Sequence, residues 1–192
     1  MTAPPLTEPF SLGGMPHGKL MRTVDEQIVH STMKDIFDLA RFVDAWPKHL
    51  KHYRYVRFRG RTTDGGGIVE MSANRPFGPL NWPTWWVSEM QVVREGGKHG
   101  GSHPTVRFRH IEGITTGMDV EWSFVPVDAG IRVRVTHVWD GPKWPVIGAF
   151  SATNVIGPVF VHGIAKRTLA GLAASAERMA RERLPAVFKE KR

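Results

Sequence analysis

The chain has 192 residues, no cysteine and a formal net charge of +8. That length fits one domain with a real core, and the missing cysteine excludes disulfides, thiolate catalysis and cysteine-ligated metals. No apolar run is long enough to form a transmembrane helix, and "MTAPPLTEPFSLGGMPHG" lacks the basic-then-apolar order of a secretory signal, so a cytoplasmic location is expected.

The first 18 residues are rich in Pro and Gly and read as a flexible arm, with Phe10 and Leu12 able to pack. Lys19 to His30 reads as a first strand. In "STMKDIFDLARF", Ser31 or Thr32 caps a helix whose apolar positions Met33, Ile36, Phe37 and Ala40 have helical spacing. "VDAWPKHLKH" reads as a second short helix, with Asp44 as its cap and Pro47 near its start.

The period then changes to two. Strands are expected at Tyr53–Arg61, Gly67–Arg75, Thr84–Glu95, Thr105–Ile114, Met118–Val127 and Ile131–Asp140. Their links "TTDGGG", "EGGKHGGSH", "ITTG" and "VDAG" are turn chemistry, so neighbouring strands are antiparallel. "PFGPLNWP" reads as a longer excursion. A long helix follows Pro158 and runs to about Leu184, with Val161, Ile164, Ala165, Thr168, Leu172, Ala176 and Met179 as its apolar stripe. Residues 19–184 are thus expected as one α+β domain and 185–192 as a basic tail.

One long helix against the apolar face of a seven-stranded sheet leaves room for a cavity, because the sheet twists and curls around it. The small helix residues Gly163, Ala170, Gly171 and Ala174 would not fill it. Alternation points Val69, Met71, Ala73 and Arg75 inward, with Val106, Phe108 and His110, then Met118, Val120, Trp122 and Phe124, then Val133, Val135, His137 and Trp139. Arg75, His110 and His137 are the polar members of this apolar wall. Trp139 and Asp140 are expected at or near the cavity mouth. The arginines that alternate through the strands, Arg107, Arg109, Arg132 and Arg134 among them, read as the solvated face.

Other chemistries lack their motifs. His99 and His103 are four apart, but on a Gly-rich loop that gives no ligand geometry, so no metal site is expected. There is no nucleophile elbow, phosphate loop or dinucleotide fingerprint. Any catalysis falls to acid–base or electrostatic work by His, Arg, Asp or water.

Three segments resemble the START-like, helix-grip superfamily, and within it the bacterial polyketide cyclase/dehydrase and lipid-transport group. They are "MKDIFDLARFVDAWPKHLKHYRYV", "WWVSEMQVV", and the set "RHIEGITTGMDVEWSFVPV", "RVRVTHVWDGP" and "VHGIAKRTLAGLAASAER". The resemblance implies a curved seven-stranded antiparallel sheet wrapped around the last helix, two short helices between its first two strands, and a hydrophobic cavity. It implies either a cyclase or dehydratase or a non-catalytic carrier of lipid or quinone. Arg75 is the position most like the cyclases' pocket arginine. Trp86 and Ser88 match their "WVSE" segment, while Met90 stands where those enzymes have a further arginine.

The expected function is binding of a hydrophobic or aromatic small molecule. As an enzyme it would be a polyketide cyclase/dehydratase, with Arg75 polarising a carbonyl and His137 or His110 moving protons. Trp86, Ser88, Met90, Phe108, Met118, Val120, Trp122, Val135, Trp139, Ile164 and Thr168 are the expected ligand-binding residues. No metal or organic cofactor is required for that chemistry. An acyl carrier protein is the partner the cyclase reading implies. The alternatives are a lipid or quinone carrier, or a basic protein that binds a macromolecule. Nucleic acid and stable membrane insertion are not expected, and the oligomeric state stays open between monomer and homodimer.

Overall fold

The structure is a computed structural model that describes residues 7–77, 80–96, 102–142 and 161–183; the side chains of 75–77, 80 and 81 are outside it. The strands are β1 (Met21–Val29), β2 (Tyr53–Arg61), β3 (Gly67–Phe77), β4 (Leu80–Val93), β5 (Thr105–Gly113), β6 (Asp119–Val127) and β7 (Gly130–Trp139). The helices are α1 (Met33–Arg41), α2 (Trp46–His49, after a single 3-10 turn at Val43–Ala45) and α3 (His162–Arg183). The expected helix start after Pro158, the tail at 185–192 and His99 lie outside the described residues.

All seven strands form one curved antiparallel sheet in the order β1-β7-β6-β5-β4-β3-β2, the helix-grip arrangement. Every pairing but one joins strands adjacent in sequence. The exception sets β1 beside β7, from Met21↔Trp139 to Val29↔Ile131. The chain therefore leaves one edge of the sheet after β1, passes through α1 and α2, and re-enters at the other edge as β2.

α1 begins where the sequence places a cap. The Thr32 hydroxyl accepts the Asp35 amide at 3.2 Å and donates to Asp35 Oδ2 at 2.8 Å. Arg183, at the end of α3, makes two bonds of 2.7 Å to the Asp35 carboxylate, which is buried. Those bonds hold the Asp35 carboxyl below its usual range and tie the ends of the two helices together. Asp44 is not the cap of α2. It pairs with Arg61 at 2.8 Å, while α2 starts at Trp46 with Pro47 in its first turn, where a missing N–H costs nothing.

"PFGPLNWP" is not an excursion. β3 and β4 stay in register through it, with Asn74↔Pro83, Arg75↔Trp82, Pro76↔Asn81 and Phe77↔Leu80. The prolines fit because of parity. The Asn74 amide points away from β4 and donates to His52 O at 2.8 Å, so its partner Pro83 also has its nitrogen turned outward. Pro76, two residues on, shares that orientation. No other strand pairs with this stretch on either side, so no ladder bond is lost.

α3 packs on the concave face with Ile164, Ala165, Thr168, Leu169, Leu172, Ala173 and Ala176 buried. Gly171 meets Leu50, whose Cδ2 would lie 2.4 Å from an added Cβ. The expectation that small helix residues leave the cavity unfilled needs correction: Ala170 and Ala174 are exposed and Gly163 is half-buried. No described helix is long and apolar enough to cross a membrane.

Candidate functional site

The inner faces of β5, β6 and β7, with β3, β4 and α3, surround an apolar cavity of about 60 Å³. Phe108, Met118, Val120, Trp122 and Val135 form its sheet wall; Val161, Ile164, Ala165 and Thr168 form its helix wall. Trp46 and Tyr53 enter from the far edge. Their rings pack edge to face at 5.1 Å, and Trp46 lies 5.8 Å from Trp122. Trp46 is held by donating its indole N–H to Leu39 O at 2.9 Å.

Three imidazoles belong to this region, and a threonine hydroxyl meets each. His110 Nδ1 lies 2.7 Å from Thr115 Oγ1, His137 Nδ1 lies 3.4 Å from Thr23 Oγ1, and His52 Nε2 lies 3.1 Å from Thr168 Oγ1. His110 is also stacked on Trp86, with centroids 5.9 Å apart and planes 20° apart. Such contacts fix each ring's orientation, and which partner donates depends on the tautomer. Burial, reinforced by the Arg167 charge, lowers the His52 pKa. His110 and His137 line the cavity; His52 reaches it through Thr168.

A bulge in β4–β5 sets this geometry. Register slips between Val87 and Ser88, placing Ser88 opposite His110. Ile111 is the residue left unpaired, and Gly113 ends the strand with φ +94°, where a Cβ would sit 2.6 Å from Trp85 O.

Of the expected site residues, His110, His137, Trp86, Phe108, Met118, Val120, Trp122, Val135, Ile164 and Thr168 converge on the cavity. Ser88, Met90 and Trp139 do not line it. Ser88 and Met90 are fully buried beside it, and the Ser88 hydroxyl has no partner among the described residues. Trp139 is not at a mouth: its ring is buried and donates to Thr116 O at 2.9 Å, locking the β5–β6 turn onto β7. Asp140 accepts the Leu20 amide at 3.4 Å and pairs with Lys19, whose hydrogen bond lowers its pKa. Arg75 stands in β3 opposite Trp82; its side chain lies outside the described residues.

Sequence reasoning missed Trp46, Tyr53, Met71, Thr115, Val161 and Ala165 as lining residues. Met71, Val161 and Ala165 were assigned to the correct faces, so inward position was the available signal. Tyr53 was hidden because β2 alternates arginine with apolar residues and slips register between Tyr53 and Tyr55.

The opposite face is built from charge. The expectation that its arginines are solvated fails at Arg107, which is 4% exposed. Residues 7–20, expected mostly as a flexible arm, run across this face from the β2 edge to the β1 edge. Thr7 bridges Thr62, the Leu12 amide donates to Gln91 at 3.3 Å, and Arg109 donates to Leu12 O at 3.2 Å. Arg107 donates to Gly13 O and, at 3.4 Å, to Gly14 O; Asp119 lies 2.9 Å from Arg109 and 3.8 Å from Arg107. Burial lowers the Arg107 pKa, against the pull of Glu121 and Asp119. Residues 7–20 therefore lie on the face of the sheet opposite the cavity.

The sequence matches the family model for polyketide cyclase/dehydrase and lipid transport over residues 29–154. A search of curated proteins returns no match. Among solved structures, TTHA0849 from Thermus thermophilus superposes with a TM-score of 0.65 at 16% identity, covering 83% of this chain and 99% of that one. The Zhui aromatase/cyclase of Streptomyces sp. R1128 gives 0.62 at 14% identity over 87% and 97%. A START superfamily protein from Mycobacterium smegmatis gives 0.55 at 15% over 84% and 97%. At these identities the likeness shows the shared fold.

Proposed function

We propose, on the premise that the chain belongs to the START-like polyketide cyclase/dehydrase and lipid-transport family, that its cavity binds an apolar or aromatic small molecule. The observation that carries this reading is the wall itself. It is almost wholly hydrocarbon and aromatic ring, with a few fixed polar points at His110, Thr115, His137 and Thr168. Such a surface desolvates a ring system or chain and orients it through one or two oxygens. The cavity of about 60 Å³ holds a few waters, so a larger ligand enters by parting α3 from the sheet.

A second reading adds chemistry, and the two ring-anchored histidines in the wall favour it. For a polyketone, His137 or His110 takes a proton from a methylene between carbonyls; the carbanion bonds to the acceptor carbonyl carbon, whose oxygen receives that proton. Removal of the second proton of the same carbon, delivered to the new hydroxyl, releases water as the C=C bond forms. Arg75 would polarise the acceptor carbonyl. The pocket contributes by holding one fold-back of a flexible chain. This chemistry requires no metal or organic cofactor. In that case the substrate would arrive on an acyl carrier protein.

Organic extraction of protein purified from its own host separates these readings. A fatty acid, phospholipid or quinone supports a carrier, and a polyketide or aromatic acid supports the enzyme. His110→Gln and His137→Gln then abolish turnover of that polyketide while leaving its affinity within about threefold if the histidines move protons. An extract with no small molecule, together with no binding of any of these classes, contradicts both.

A further inference from the structure

We propose that the β3–β4 ribbon around Trp82 and Trp85, with the adjoining β2 edge, docks reversibly on an anionic lipid bilayer. The hairpin projects from the sheet. Pairing of β2 with β3 begins at Tyr53↔Ala73, and pairing of β4 with β5 ends at Trp86↔Gly113, whereas β3 and β4 continue together to Phe77↔Leu80. The stretch beyond Ala73 and before Trp86 is a two-stranded ribbon with no strand beside it.

This ribbon carries the exposed tryptophans. Trp82 is 61% and Trp85 48% exposed, whereas Trp46, Trp86, Trp122 and Trp139 are all buried. Alternation puts Trp82 and Trp85 on opposite faces of the ribbon, so whatever it enters surrounds it. Ile114, 46% exposed, follows Gly113, which packs against the Trp85 backbone. Exposed indoles cost free energy in water and are at home at a membrane–water interface, where the ring is buried and its N–H stays wet.

The chain beside the ribbon is rich in cations. Residues 45–63 contain Lys48, Lys51, Arg54, Arg57, Arg59 and Arg61 and no acidic residue; residues 71–88 also have none. Arg59 and Arg61 are spent on Glu70, Glu112 and Asp44, and Arg57 stands opposite Glu70. Lys48, Lys51 and Arg54 are exposed and form no ion pair among the described residues. Arg54 donates to Ser72 Oγ at 3.4 Å, and Ser72 is the register partner of Trp85. The Asn74–His52 bond fastens the Lys51 turn to the base of the hairpin. Unpaired cations around a projecting indole ribbon match a surface of anionic headgroups over hydrocarbon.

The proposal deepens the ligand-binding reading by naming where an apolar ligand is taken up or released. Tyr53 and Trp86, at the root of the ribbon, line the cavity. Docking itself needs no ligand, so vesicle binding and ligand binding fail separately.

The test is co-sedimentation of the full-length protein with phosphatidylcholine vesicles, with and without phosphatidylglycerol. Binding is expected only with phosphatidylglycerol and is weakened by salt. Trp82→Ser/Trp85→Ser lowers it roughly tenfold, and Lys51→Glu/Arg54→Glu removes its salt dependence. Independent of any variant, brominated phosphatidylcholine mixed with phosphatidylglycerol quenches the wild-type indole fluorescence. The proposal is overturned if anionic vesicles bind no protein, if neither double substitution changes binding, or if the protein ignores vesicles and binds a purified acidic carrier protein.

Discussion

The two faces of the sheet bury polar groups for opposite ends. On the concave face His110 and His137 sit among aromatic and aliphatic side chains, each ring steadied by a threonine hydroxyl. Each ring is oriented by a hydroxyl and not by an ion pair that the described contacts show. On the convex face Arg107, Arg109 and Asp119 are buried or half-buried as ions, and they spend their bonds on one another and on arm carbonyls. Buried charge survives where it is engaged in this way, although the Arg107 Nε keeps only a 3.6 Å approach to Glu121. One face is arranged to accept a partner from outside, and the other has already taken one from its own chain.

The largest effect should come from emptying the concave wall. Trp122→Ala removes a ring that is 3% exposed and packed on Trp46, and should cost about 4 kcal/mol in urea unfolding. A loss under about 1 kcal/mol would mean that this wall collapses freely and is no preformed site.

Arg107→Ala comes next. It leaves the Gly13 and Gly14 carbonyls without their donor, while Asp119 keeps Arg109, and should cost about 2 kcal/mol. It should also expose the chain before Gly18 to limited proteolysis while leaving apolar-ligand affinity unchanged. Loss of ligand affinity with an intact fold would break the division between the two faces.

Thr115→Val should cost about 1 kcal/mol, because it removes one buried hydrogen bond to His110. Its larger consequence should be on ligand binding, read by titration of an apolar fluorophore. Resistance of the arm to protease should not change.

The smallest effect is one of pH. The His52 pKa is depressed below its ordinary 6.5, chiefly by burial, so the folded state resists a proton that the unfolded chain accepts. Its stability contribution is therefore complete above that ordinary value and is lost as pH falls toward the depressed one. Urea midpoints should decline on mild acidification, and His52→Gln should flatten that slope. An unchanged slope in the variant would assign the dependence to other groups.

Much of the concave face was legible in the sequence because alternation is a local property. Val106, Phe108 and His110, and Met118 through Phe124, fall inward as their spacing requires. The convex face was not legible in the same way. Arg107 alternates like a solvated residue, and only the arm, 93 and 94 positions away in sequence, makes it buried. Thr136 and Val138 are likewise buried although they lie on the outer side of β7. At Trp139 alternation gave the correct face and missed the use, since its bond to Thr116 depends on how β5 and β6 turn. The β3–β4 extension was hidden by prolines that usually end strands, and the parity that excuses them appears only once the neighbours are known.

The most direct test of the cavity's role is native mass spectrometry of the protein purified from its own host beside an Ala165→Phe variant. Ala165 is 3% exposed and lines the cavity, so the added ring fills it from the α3 side. With the variant's fold confirmed by an intact melting transition, the wild type should carry a stoichiometric apolar mass that the variant lacks. Equal ligand on both proteins, or none on the wild type even after incubation with apolar compounds, would contradict a binding cavity between the sheet and α3.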